Sequence, residues 1–164
     1  MTELGMALSN PYRGDRRPGH VGQPLPGVKI KRVDESGNDI LDDATPGELA
    51  VKSQTAFREY WGNVTSTEKA FADGWFLTGD IAVIDAGSYR ILGRASIDII
   101  KSGGFKLSAL EIEATLLEHP NVSEVAVIGV PDHEWGELVA CALVLHEQVS
   151  QESLIEWARE RMSA

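Results

Sequence analysis

Between residues 28 and 94 the chain repeats one device: a short segment alternating apolar and polar side chains, then a turn, then another such segment. VKIKRV (28–33) runs into the turn ESGN, GELAVKS (47–53) follows, and WFLTGDIAVID (75–85) and SYRILGR (88–94) are joined through Ala86-Gly87. A period of two presents one face to a core and the other to water, and such short connections permit antiparallel neighbours only. A small, twisted antiparallel β unit is therefore expected over this part. Residues 10–27, NPYRGDRRPGHVGQPLPG, are dense in proline and glycine and predict a long loop. TSTEKAFA predicts a short helix, with Thr and Ser available to cap it.

The pattern changes after Arg94. IDIIKSGGFKL (97–107) is a pair of apolar runs broken at Gly103-Gly104, which suits a hairpin or a close backbone approach to a ligand. Ser108 is followed three residues later by Glu111, the capping-box spacing, and Leu110, Ile112, Leu116 and Leu117 supply apolar positions for a helix ending near His119-Pro120. VSEVAVIGV (122–130) and ELVACALVL (137–145) predict strands too apolar to be exposed on both faces. In SQESLIEWARERM, Ser150 is a cap and Leu154, Ile155, Ala158 and Met162 lie along one helical face. The chain as a whole reads as α+β.

Charge and cysteine usage exclude several functions. The net charge is −10, with 13 acidic against 11 basic side chains over residues 1–95 and 12 against 4 over 96–164. A nucleic-acid partner requires a basic face, so none is expected. No apolar run approaches the roughly 20 residues of a membrane span. The single cysteine, Cys141, cannot form an internal disulfide and suits a reducing compartment. The four histidines show no metal-ligand spacing.

Four places can carry chemistry. Asp80, in TGD after an apolar run, is either ordinary turn chemistry or a carboxylate able to accept from both hydroxyls of a ribose. Arg94 is either a solvated strand-end arginine or a donor to ribose or phosphate. Thr2 and Glu3 offer a hydroxyl for a phosphate and a carboxylate for magnesium, or else a frayed terminus. KSGG (101–104) is a structural hairpin or a place where backbone approaches a nucleotide.

Taken in order, MTE, GELAV, YWGN, DGWFLTGD, ILGR and KSGGFKLSALEIE closely resemble the second half of the adenylate-forming acyl-CoA synthetases, over almost the whole chain. MTELGMALSNPYRGDRRPGHVGQPLPG and GRASIDIIKSGGFKLSALEIE look most like the malonyl-CoA synthetases. The resemblance implies a barrel-like part of the large AMP-binding domain over 1–95, then a hinge, then a small mobile α+β domain over 96–164. It implies ATP and AMP, Mg²⁺ and coenzyme A as cofactors or co-substrates, and a small carboxylic acid such as malonate or methylmalonate as substrate.

It also implies roles. Thr2 touches the AMP phosphate, Glu3 helps hold magnesium, Asp80 binds the ribose hydroxyls and Arg94 contacts the ribose. Ala95 and Ser96 form the hinge, where this sequence has Ser96 and one extra residue before Asp98 in place of the common acidic or lysine residue. Gly103, Gly104 and Lys106 match the loop presented to coenzyme A. The family's phosphate loop and acyl pocket are expected upstream and its adenylation lysine downstream, so the chain is expected to be truncated at both ends and inactive alone. The competing expectation is a non-catalytic module that binds coenzyme A, an acyl carrier or a protein. The resemblance points to a mitochondrial location, with cytoplasmic as the alternative.

Overall fold

The computed structural model describes residues 1–14 and 16–162. Two compact units divide the chain, Met1–Ile91 and a second from Leu92 onward.

The first unit is built on one open sheet. Its strands are β1 (Leu8–Ser9), β2 (His20–Pro24), β3 (Lys29–Val33), β4 (Asp39–Ile40), β5 (Gly47–Lys52), β6 (Phe71–Ala72), β7 (Trp75–Asp85) and β8 (Ser88–Arg94), the last three residues of which belong to the second unit. They run in the order β1-β2-β8-β7-β5-β3-β4, with β6 beside β7. The hairpin between β7 and β8 turns at Ala86 and Gly87, both at positive φ (46° and 77°), the backbone of a tight primed turn. The sheet does not close into a barrel.

The expected loop at 10–27 is shorter than its composition suggested, because His20–Pro24 is a strand paired with β8. Gly22 makes this possible. Its φ is +89°, and a Cβ there would lie 2.0 Å from the Ser9 carbonyl oxygen, so only glycine lets β1 lie against β2. The short helix is α1 (Val64–Ala70), and its cap is Asn63, whose side chain accepts from the Ser66 N–H, in place of the Thr or Ser expected.

Leu4, Val51 and Phe76 form the buried centre of this unit, with Ile30, Phe57 and Phe71 packed around them. Phe76 meets Phe57 edge-on at 5.2 Å and Phe71 at 5.7 Å between ring centroids. Leu49, Ile81, Ala82 and Val83 are buried in the same unit.

In the second unit, β9 (Ile99–Ser102), β10 (Phe105–Ser108), β11 (Val122–Asp132) and β12 (Gly136–Leu145) form a sheet in the order β10-β9-β12-β11. The helix α2 (Ala109–Leu117) starts at Ser108, whose hydroxyl accepts from the Glu111 N–H as the spacing predicted. Ile100, Ala109 and Val127 form the core, flanked by Leu107, Ile112 and Val125. β11 and β12 are covered on one face only, since Ile128, Val130, Leu138 and Val144 are exposed on the other. The last helix, α3 (Gln151–Arg161), is capped by Ser150. Its packed positions are Leu154, Trp157 and Ala158, while Ile155 faces solvent, contrary to the expected face. Trp157 takes that role because its ring lies 4.8 Å from His119 and its indole N–H donates to the Thr115 carbonyl on α2.

Candidate functional site

Residues 1–5 form an ordered turn in place of a frayed terminus. The Gly5 N–H donates to the Met1 carbonyl at 2.9 Å, and Phe57 N–H donates to the Glu3 carbonyl at 2.7 Å. The Thr55 hydroxyl donates to the Leu4 carbonyl, and the Leu4 side chain is 2% exposed in the core. Backbone and side chain are therefore both tied down, which fixes where the two preceding side chains project.

Thr2 and Glu3 meet each other and a third residue. The Thr2 hydroxyl donates to one Glu3 carboxylate oxygen at 3.1 Å, and the Tyr60 hydroxyl donates to the other at 3.2 Å. The hydrogen bond from its own backbone N–H, and then those from Thr2 and Tyr60, hold the Glu3 carboxyl below its ordinary value of 4.5, against the opposing effect of partial burial. A half-buried, ionised carboxylate with a neighbouring hydroxyl is thus presented at one edge of the unit. Tyr60 belongs to the YWGN stretch, and no local pattern in the sequence links it to Glu3 across 57 positions.

Asp80 sits in an irregularity of β7. Opposite β5 the register shifts between Glu48, paired with Ile81, and Ala50, paired with Leu77, so Thr78, Gly79 and Asp80 stand against Leu49 alone. Gly79 has φ +76°. Its N–H donates to a Glu48 carboxylate oxygen at 2.8 Å, and the Asp80 N–H donates to the Thr78 hydroxyl at 3.1 Å. The TGD sequence is thus a bulge within a long strand, and the bulge turns Asp80 off the regular ladder. The simple turn reading fails, because β7 continues to Asp85.

In the second unit Arg94 ends β8, and its side chain is exposed. Its carbonyl accepts from the N–H groups of Ile97 and Asp98, and its own N–H donates to the Asp98 carboxylate at 2.8 Å. Ala95 and Ser96 lie inside this closed turn and are exposed. Gly103 and Gly104 form the tip of the β9–β10 hairpin, at φ +57° and +84°. A Cβ on Gly103 would stand 2.7 Å from the Trp135 ring, and the Gly103 N–H donates to the Trp135 carbonyl, so the close approach at this glycine is made by Trp135. Lys106 follows on β10, half-buried.

A broad open cavity of about 1350 Å³ lies elsewhere on the first unit, lined by Ser9, Tyr12, Arg17, His20, Gln23 and Ser88 among others. None of the sequence-predicted site residues lines it. At its edge Asp85 accepts from Arg17 and pairs with His20, both at 3.0 Å. The His20 hydrogen bond, then the Arg17, His20 and Arg90 charges, hold the Asp85 carboxyl below its ordinary 3.8. A depressed carboxylate stabilises the fold fully above its ordinary value, and that contribution is lost as pH falls through the lower folded value. The Asp85 carboxyl carbon, followed by NMR, is expected to titrate with a midpoint below 3.8, and the clamp to release only under that pH. A midpoint at or above 3.8 would refute the clamp.

With this geometry in place, comparisons with known proteins assign the chain. Residues 1–61 match the family model described as "AMP-binding enzyme", and residues 111–164 match "AMP-binding enzyme C-terminal domain". The chain belongs to the AMP-binding enzyme family. Among curated relatives, the mitochondrial malonate–CoA ligase ACSF3 of Bos taurus is 48% identical over 181 residues, covering 97% of this chain and 31% of its own length. The malonate–CoA ligase of Arabidopsis thaliana is 44% identical, covering 99% and 28%. Among solved structures, ATP-bound MatB from Rhodopseudomonas palustris superposes with a TM-score of 0.85 at 38% identity, covering 99% of this chain and 33% of that one. The chain thus spans about a third of the length of the relatives it matches. No helix among the described residues is long and apolar enough to cross a membrane.

Proposed function

We propose that this chain is the part of an ATP-dependent acid–thiol ligase that supplies one edge of the nucleotide site, the hinge and the coenzyme A loop, and that the acid is malonate or methylmalonate. The observation that carries the reading is the likeness, at 44–48% identity over nearly the whole chain, to ligases named for malonate in both animals and a plant. The animal relatives are named as mitochondrial, which supports that compartment for this chain.

In the reaction so proposed, the acid's carboxylate attacks the α-phosphorus of ATP, pyrophosphate leaves, and the thiol of coenzyme A then displaces AMP from the acyl-adenylate. The residues here hold the nucleotide through both steps. Asp80, carried off the ladder by its bulge, accepts from the ribose hydroxyls, and Arg94 donates to the ribose. The Thr2 hydroxyl donates to an α-phosphate oxygen. Fixed donors and acceptors of this kind lower the barrier by holding the reacting atoms in line and by meeting charge where it develops.

Glu3 fits a magnesium ion. It is ionised and half-exposed, and an ion held mostly by phosphate oxygens and water asks for one or two carboxylates. When bound, the ion offsets charge on the phosphates. Tyr60 fixes the carboxylate's orientation from one side, and the Thr2 hydroxyl, which donates to its other oxygen here, turns to the phosphate when the nucleotide binds. The turn at Ala95 and Ser96 is the proposed hinge, and Gly103, Gly104 and Lys106 the proposed coenzyme A loop.

A chimera tests the whole reading: this chain replaces the matching 31% of the bovine malonate–CoA ligase. The chimera is expected to form malonyl-CoA, AMP and pyrophosphate from malonate, ATP and coenzyme A. A folded chimera that binds ATP but converts neither malonate nor methylmalonate would remove the substrate assignment.

A further inference from the structure

We infer that Glu48 is a positioning residue for the nucleotide's ribose, acting through the β7 bulge that carries Asp80; this rests on the reading of Asp80 as the ribose-binding carboxylate. An antiparallel ladder pairs each N–H with the facing strand, and the residues added by a bulge lose that partner. Here Thr78, Gly79 and Asp80 face Leu49 alone, and the N–H groups of Gly79 and Asp80 each find a side-chain acceptor. Asp80 N–H reaches the Thr78 hydroxyl, a bond within the bulge itself. Gly79 N–H reaches the Glu48 carboxylate on the neighbouring strand, a bond that ties the bulge to the rest of the sheet.

The residue types suit this task. An ionised carboxylate accepts and does not donate, and its bond to a backbone N–H is about twice as strong as a neutral one. Gly79, at φ +76°, adopts without strain the backbone that turns its N–H toward Glu48. Glu48 is itself held by its strand: the preceding Gly47 is buried, with a virtual Cβ 2.5 Å from Ile40, and the following Leu49 is 3% exposed. β5 is thereby locked in register, and the Glu48 carboxylate stands at a fixed height opposite the bulge. Without it the Gly79 N–H turns to water, the bulge loosens, and the Asp80 carboxylate loses its aim.

The test uses the 164-residue chain with Glu48→Ala, Glu48→Gln and Asp80→Ala variants. Amide exchange at Gly79 is measured, and AMP, 2′-deoxy-AMP and 3′-deoxy-AMP are titrated by amide chemical shifts, which register millimolar affinities. Glu48→Ala is expected to accelerate Gly79 exchange and to weaken AMP about tenfold, the worth of one charge-assisted hydrogen bond. It should also erase the preference for AMP over the deoxy forms. Glu48→Gln, which keeps an acceptor, is expected to restore part of both. A Glu48→Ala chain that keeps wild-type Gly79 exchange, or keeps the AMP preference while Asp80→Ala loses it, overturns the positioning role and leaves the ribose reading intact. An Asp80→Ala chain that keeps the preference overturns the ribose reading, and the proposal with it.

Discussion

Replacing Phe76 with alanine is expected to lower the unfolding free energy of the first unit by about 4 kcal/mol. The ring is 3% exposed, and it lies where Leu4, Val51, Phe57 and Phe71 converge. Its neighbours cannot collapse easily into the vacated space. Phe57 and Phe71 already stack on each other at 5.3 Å, and Val51 is locked in β5 opposite Phe76 itself. The lost transfer energy is therefore accompanied by a cavity, and by the loss of two aromatic contacts each worth about 1 kcal/mol. A urea titration followed through the amide signals of β5 and β7 measures the effect. A loss under about 1.5 kcal/mol would mean that the unit repacks, and that the core described here is not its main support. The change also reaches the candidate site, because Leu4 loses its floor and Glu3 is the next residue along.

That coupling was illegible in the sequence, and the reason is physical. Alternation along VKIKRV and WFLTGDIAVID identifies strands and their inward phase, since burial of one face depends only on local periodicity. It carries no information about which distant segment covers that face. Residues 1–5 contain one leucine and no periodicity, so their anchoring depends on Thr55, Phe57 and the aromatic cluster, each about 50 or more positions away. The Glu3–Tyr60 and Glu48–Gly79 hydrogen bonds are of the same kind.

Local signals fared according to how local their physics is. The Ser108 and Ser150 caps and the Gly103-Gly104 hairpin need only neighbouring residues, and all three are where the spacing placed them. The strand at His20–Pro24 was hidden because proline and glycine dominated the composition around it, whereas Gly22 is required by the approach of β1. On α3 the apolar stripe predicted that Ile155 faces inward. The larger Trp157 won the packed position because it adds an N–H bond to Thr115 and a ring contact with His119.

Arg32 shows where alternation misleads by being obeyed. In VKIKRV the inward phase is Val28, Ile30 and then Arg32, so the pattern sends a cation into the interior. The structure keeps it there: Arg32 is 3% exposed. Its guanidinium donates to the carbonyls of Asp42, Asp43 and Thr45, with the Asp43 carboxylate 4.0 Å away. Arg32→Met, which keeps the aliphatic stem, is expected to cost about 3 kcal/mol in the first unit. The loss comes from three carbonyls left without their donor, partly offset where the exposed loop at 42–45 can turn them to water. Lysine should recover little, since one ammonium cannot reproduce the planar fork that spans three acceptors. The same titration used for Phe76 reads the change, and a Met variant as stable as the parent would show that loop 42–45 is held by other contacts. Of the two losses, the one at Arg32 should also free β4 from β3, because Ile40 pairs with Arg32 directly and the 42–45 loop begins two residues beyond it. Ile84, whose N–H donates to the Asp43 carbonyl, would then lose its partner as well, and the disturbance would enter β7 from the end opposite Phe76.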